Sequence, residues 1–347
     1  MLSPLYDAKR EKELINTIDN ITQAIKDEEN NAVHYFARAL EYYQLSQQYF
    51  DIFESFDFIG DEELYYKYVN KAYDDVDKAL SFNQPLNDYA YSFKLFMLKK
   101  LKRWKDLIEY GIKLEESVGL TTKDCALIGE AFFNLENWQD CVDCYTVVIE
   151  EFGEKDASNI GIDIFVERGI AYSELKQYEL AINDYKKHIE LKENVELCKY
   201  NIYGLMADAY EQLEDYEQAL SAYSNLLKFD EENVTGLFRR GRLYCDFIHN
   251  YTLAVEDFEK ALSISQDNRL CYSFCAYAYV HKGEHDEAND KTLALHDYEK
   301  AIEYYKIAHK MEFGDKNSQE AKNSYWATVG YAMQLKEELL NEKFKLC

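Results

Sequence analysis

From Phe165 onward, apolar and small residues recur three and four positions apart: Phe165, Gly169 and Tyr172, then Tyr178, Ala181, Tyr185 and Ile189. That spacing predicts two amphipathic helices joined by a short turn, each with its apolar residues on one face. The pattern returns at Tyr203, Ala207, Tyr210, Tyr216, Ala219 and Tyr223, and again at Gly241, Tyr244, Tyr251, Ala254, Phe258, Ala261 and Leu262. Upstream, Gly129, Phe132, Trp138, Cys141, Tyr145 and Ile149 keep the same order. The expectation is an all-α chain of tandem helical hairpins. Small residues let the two helices of a hairpin approach, and tyrosines fill the space between neighbours.

The order of aromatic, Gly and Tyr on one helix, then Ala and aromatic on the next, resembles the tetratricopeptide repeat (TPR). The resemblance implies a right-handed superhelical solenoid of stacked hairpins. Following the small residue of the second helix through Ala72, Leu107, Cys141, Ala181, Ala219, Ala254 and Ala301 gives about seven repeats over residues 31–311. Residues 1–30 are expected to supply an extra helix stacked on the array. Residues 312–347 are expected to supply a capping helix, Ser318 to Phe344, with a charged outer face. Two insertions interrupt the frame, near 44–66 and 283–295. The first carries Tyr49, Phe50, Phe53, Phe56 and Phe58 and reads as an overlong first helix stopped at Gly60, its aromatics either covering the open edge of the core or, like insertions in other solenoids, carrying binding specificity.

Composition narrows the function. With 65 acidic and 39 basic residues the formal net charge is −26, which repels phosphate backbones and anionic membrane surfaces. No nucleic acid and no membrane are therefore expected as partners. Two prolines in 347 residues leave long helices unbroken. Met1 to Ala24 holds no apolar signal-peptide core, and the eight cysteines are scattered through helical patterns. Free thiols in a cytoplasmic chain are the expectation.

Chemistry-bearing motifs are sparse. Cys141-x-x-Cys144 falls in mid-helix, away from the N-terminus that would stabilise a thiolate, and reads as buried thiol. His281 and His285 stand one turn apart, but without a metalloprotease motif they read as exposed histidines. No phosphate-binding loop or nucleophile elbow occurs, so no catalytic residue, cofactor or metal is assigned. The family's carboxylate clamp for acidic chaperone tails needs Lys, Asn, Asn, Lys and Arg on successive first helices. Those places hold Val166, Ile170, Leu205, Thr235 and Arg239 in repeats four to six, and Ser92, Phe96, Leu127, Asp163 and Glu167 in repeats two to four. Only Arg239 matches.

Carried over position by position, the concave surface of such an array comprises Phe96, Glu130, Phe133, Asp163, Glu174, Asp208, Glu211, Phe238, Arg242, Asp246 and Tyr277. It is acidic with interspersed aromatics. The expected function is a non-enzymatic scaffold holding a basic segment of a partner protein in that groove. The alternatives are an inhibitor or immunity-type antagonist that masks a basic target, and an enzyme subunit.

Overall fold

The computed structural model describes residues 7–50, 61–82, 84–154, 163–191, 201–288, 290–314, 316 and 318–345. Every regular element among them is helical, and they fall into two compact units, 1–200 and 201–347. The first unit contains α1 (Ala8–Asp27), α2 (Ala32–Gln47), α3 (Glu62–Ser81), α4 (Asp88–Lys100), α5 (Trp104–Ser117), α6 (Thr122–Asn134), α7 (Trp138–Phe152), α8 (Ile164–Glu174) and α9 (Tyr178–Leu191). The second contains α10 (Ile202–Gln212), α11 (Tyr216–Phe229), α12 (Val234–Leu243), α13 (Tyr251–Ile264), α14 (Arg269–Asp286) and α15 (Lys291–Phe313). It closes with α16 (Gln319–Tyr325) and α17 (Tyr331–Lys345). From α2 to α15 the helices pair into seven hairpins among the described residues. Among the described residues the chain is an all-α succession of helical hairpins.

Most helices begin on a residue suited to the task. Asp7, Asn31, Asn201, Asn233, Asn268 and Asp290 each accept backbone N–H groups of their own first turn. Thr121 and Asp124 form a reciprocal capping box at the start of α6. Inside the hairpins the second-helix aromatic lies flat on the first-helix small residue. A Cβ on Gly169 would stand 2.5 Å from the ring of Tyr185, and one on Gly283 would stand 2.8 Å from Tyr298. Only glycine permits that approach, so Tyr145, Tyr185, Tyr298 and Phe258 can be fully buried where the helices cross.

The turn between paired helices recurs with one geometry. Lys102, Glu136, Lys176, Glu214 and His249 all have φ between +54° and +61°, the left-handed region. In the first four the following residue closes a six-residue loop back to the helix, as in Gln177 N donating to Tyr172 O at 2.8 Å and Asp215 N to Tyr210 O at 3.0 Å, while Asn250 N reaches one residue further, to Tyr244 O at 2.9 Å. This is the helix-ending motif in which glycine is favoured, and here other side chains bear its strain. Lys176→Gly is therefore expected to raise stability by about 0.5–1 kcal/mol, the relief of strain exceeding the lost chain stiffness. Urea unfolding of the variant is the measurement; an unchanged or lower midpoint would show that the lysine side chain offsets its own strain.

Charged residues are buried between paired helices in a repeating arrangement. Arg168 makes two parallel bonds to Asp184, both 2.7 Å, and a third to Thr146 Oγ1 of the preceding hairpin at 3.0 Å. Arg240 holds Asp257 at 2.8 and 2.7 Å and Ser224 Oγ at 3.2 Å. Arg38 holds Asp75 at 2.7 Å twice and Thr22 Oγ1 at 3.1 Å. In the last hairpin Lys282 takes the role, 2.7 Å from Asp297. Burial pushes the Asp184 carboxyl above its usual range, with Arg168 pulling against it. The remaining hairpins fill the same two places otherwise: Lys94 lies 4.2 Å from the ring centre of Tyr110, and Ile128 with Cys144, and Met206 with Ala222, are apolar.

Three expectations are corrected. The first helix of repeat one stops at Gln47, and α3 starts early at Glu62 on an Asp61 cap. Tyr49 turns into the core there, 5% exposed, while Phe53, Phe56, Phe58 and Gly60 lie outside the described residues. In the seventh hairpin the crossing pair is Gly283 with Tyr298, so Ala294, not Ala301, is the counterpart of Ala254. The added residues do not loop out near 283–295. They extend the start of α14 and the end of α15 by about two turns, at the same end of the hairpin. Finally, the terminal helix buries Ala321, Val329, Ala332 and Leu339, but its outer face exposes Trp326, Tyr331 and Met333 and is not simply charged.

Candidate partner-binding surface

In the first unit the first helices of the hairpins place the expected residues as follows. Phe96 on α4 is half-buried, edge-on to Tyr43 at 5.3 Å, with Lys100 Nζ 5.1 Å from its ring centre. Burial, and then the neighbouring Lys99, lowers the Lys100 pKa. Glu130 on α6 is paired with Lys99 Nζ at 2.6 Å. Phe133, one turn on, packs edge-to-face against Trp138 at 5.7 Å. Asp163 precedes α8 without capping it through its side chain, and Glu174 is the exposed last residue of that helix.

The second unit gathers its candidates more closely. Asp208 and Glu211, one turn apart on α10, both accept the Tyr223 hydroxyl, at 2.8 and 2.6 Å. Burial and then the Glu211 bond hold that phenol well above its ordinary pKa. Glu211 also lies 3.7 Å from Arg239, so the one residue matching the carboxylate clamp has an acidic neighbour. Phe238 on α12 is half-buried between Phe274 and Phe258, at 5.6 and 6.0 Å. Arg242 lies over the Phe274 ring at 5.6 Å and 3.9 Å from Asp246. Tyr277 is the most open aromatic of the set, 39% exposed, edge-on to His281 at 4.3 Å.

Sequence reasoning missed the surface beside them. After α12 the helix widens into a π turn, Tyr244–Ile248, that ends on left-handed His249. Phe247 is exposed and stacks on Tyr216 with ring centres 3.5 Å apart, and Tyr251 stacks on His281 at 5.2 Å. The signal was countable: thirteen residues separate Gly241 from Ala254, against twelve from Gly169 to Ala181. One extra residue in a helix that must still cross its partner is absorbed as a π bulge.

The cysteine and histidine motifs are positioned as packing and surface groups. Cys141 is buried and Cys144 half-buried in α7, and burial pushes the Cys144 thiol up to about 12 and Cys141 further. Cys245 and Cys271 are each raised to about 12 by burial. His281 and His285 have separate carboxylate neighbours, Glu284 at 2.7 Å and Asp286 at 3.3 Å. Among the described residues, no three His, Cys, Asp or Glu side chains gather to hold a metal. Cys198 and Cys347 lie outside the described residues. Thiol titration at neutral pH is expected to find Cys141, Cys245, Cys271 and Cys275 unreactive in the folded chain and reactive in urea. Fast native labelling of any of the four, located by mass spectrometry, would contradict their burial between helices.

The fold and these positions define the class. Residues 162–195, 200–233 and 234–268 match the tetratricopeptide repeat model, and the chain carries repeats of that family. Proteins built of such repeats mediate protein–protein interaction. Among curated proteins it is similar to peptidyl-prolyl cis-trans isomerase FKBP4 of Mus musculus, 27% identical over 165 residues, 44% of this chain and 36% of the relative. It is also similar to FK506-binding protein 59 of Drosophila melanogaster, 25% identical over 130 residues, 35% of this chain and 29% of the relative. The chain thus spans about a third of the length of these curated relatives. Among solved structures, the C-terminal part of a TPR repeat-containing protein from Cytophaga hutchinsonii shares the fold. Its TM-score is 0.50 at 14% identity, over 74% of this chain and 94% of that one. No helix among the described residues is long and apolar enough to cross a membrane.

Proposed function

We propose that this chain is a non-enzymatic scaffold that holds a basic segment of a partner protein on the first-helix faces of its hairpins. The observation that carries the reading is the company of Asp208, Glu211 and Asp246 with the half-open aromatics Phe238 and Tyr277 in the second unit. Glu130, Asp163 and Glu174 with Phe96 and Phe133 extend the same chemistry to the first unit. Carboxylates steer a cationic segment inward, and the aromatic faces hold its cations and apolar side chains. Asp246 and Asp208 are the exposed members, and Asp208 shares the Tyr223 hydroxyl with Glu211. The six described cysteines are free thiols, which suits a reducing cytoplasm.

A partner captured from lysate and identified by mass spectrometry is then measured against variants at low and high salt. Asp208→Lys with Asp246→Lys is expected to slow association about tenfold at low salt, and less once salt screens charges beyond ~8 Å. Tyr277→Ala is expected to speed dissociation about tenfold. Reversal of the exposed Glu150 and Glu151 at the end of α7 is the control. Weaker binding of that control, with the groove variants unchanged, would place the partner on another face.

A further inference from the structure

The C-terminal helical segment, α16 continued through a π turn at Trp326–Gly330 into α17, carries a second surface with different chemistry. From Asn323 to Leu335 it contains no charged residue, in a chain that is 30% charged. Its inner side is covered: Val329 and Ala332 are buried, and Leu335 packs into the core of the second unit. Its outer side is open, with Trp326 69%, Tyr331 45% and Met333 36% exposed. Trp326, Gly330, Met333 and Glu337 line a shallow depression of about 530 Å³. Trp326 to Gly330 form a π turn, and across it these four residues stay on one face, an open seam on which a second helix can lie. The indole lies along the helix over Gly330, where a Cβ would meet it at 2.5 Å. A glycine inside a helix weakens it relative to alanine, and what it permits here is a solvent-facing aromatic platform.

We propose that this seam pairs antiparallel with the same seam of a second copy of the chain. Charge selects that occupant. The chain carries −26 overall and repels its own copies over most of its surface. Residues 319–345 are neutral, with Glu320, Glu337, Glu338 and Glu342 balanced by Lys322, Lys336, Lys343 and Lys345. A neutral helix does not attract the basic segment that the carboxylate surface suits. In an antiparallel pair Lys322, at the start of one seam, lies opposite Glu337 and Glu338 near the end of the other. The pairing is isologous and closes as a dimer. It is smaller than a standard interface of about 20–30 residues a side, so dissociation in the ~10–100 μM range is expected.

Sedimentation velocity of the full chain is expected to show reversible monomer–dimer exchange as concentration rises from ~1 to ~100 μM. Because salt screens the net repulsion within a Debye length of ~10 Å or less, the dimer is expected to strengthen with salt. Trp326→Ala and Met333→Lys should each leave a monomer with unchanged helical signal and melting, since both side chains are exposed. Lys322→Glu should weaken the dimer at least threefold, and adding Glu337→Lys should restore it. A single monomeric species at ~100 μM, or a dimer indifferent to both Trp326→Ala and Met333→Lys, overturns the proposal.

Discussion

Arg168→Ala is expected to lower the stability of the first unit by about 3–5 kcal/mol, because it strands the Asp184 carboxylate between two helices without its partner. The arginine is 12% exposed and the aspartate 8%, so water cannot take the guanidinium's place. Replacing both partners together, as Arg168→Met with Asp184→Leu, is expected to be neutral or stabilising by about 1–4 kcal/mol, since two desolvated charges disappear with their attraction. The chain offers its own precedent, with Met206 and Ala222 standing in the corresponding places of the fifth hairpin. The pH dependence has a definite sign. In Arg168→Ala the folded-state pKa of Asp184, already raised by burial, rises further above its unfolded value. Such an acid destabilises progressively as pH climbs, so the deficit should shrink in acid. Urea unfolding of the three proteins at two pH values measures all of this. A double variant as unstable as Arg168→Ala would mean that the pair also fixes the hairpin geometry.

The second large effect concerns the end of the second unit. Removing Ser318 to Cys347 takes away Val329, Ala332, Leu335 and Leu339, and leaves Ala294 and Tyr298 without the Leu339 and Leu335 side chains against them. It also removes Tyr331 from Glu284, 3.1 Å away, and Lys336 from Glu299 at 2.8 Å. With about 1.5–3 kcal/mol for each large apolar side chain uncovered, the loss should be roughly 5 kcal/mol. The truncated chain should aggregate irreversibly, unlike the reversible pairing of the intact one. Light scattering after gel filtration, together with urea unfolding, checks both points. A truncated chain that stays soluble and equally stable would show that the helix covers nothing essential.

Most hairpins were legible because their signal is local. Gly169 with Tyr185, and Ala207 with Tyr223, repeat at fixed distances, and the crossing of two helices imposes those distances. The seventh frame slipped for a physical reason. Ala301 lies seven residues after Ala294, nearly two whole turns, and both are buried on one face of α15, so periodicity cannot tell them apart. The buried Arg–Asp pairs were invisible to the same reasoning. A pattern of apolar and polar positions assigns every charge to the surface, and Arg168 merely precedes Gly169. For the candidate surface, the places of Asp208 and Glu211 on a first helix could be counted. Their shared grip on Tyr223 could not, since a contact across two helices leaves no period in the sequence.

The hydroxyls that reach the buried arginines have a further consequence. Thr146 and Ser224 stand two residues beyond Cys144 and Ala222, in the hairpins with apolar pairs, and each serves the arginine of the hairpin that follows. The third and fourth hairpins, and the fifth and sixth, are therefore each a doublet: one lends a hydroxyl, the next receives it. Gene shortening that removes residues 163–229 would take out one receiver and one lender and bring Thr146 before Arg240. Removing residues 201–229 alone would leave Arg240 behind Lys186, a cation where it needs an oxygen. Viable shortened forms of this region should keep a hydroxyl-bearing hairpin immediately ahead of each arginine that remains.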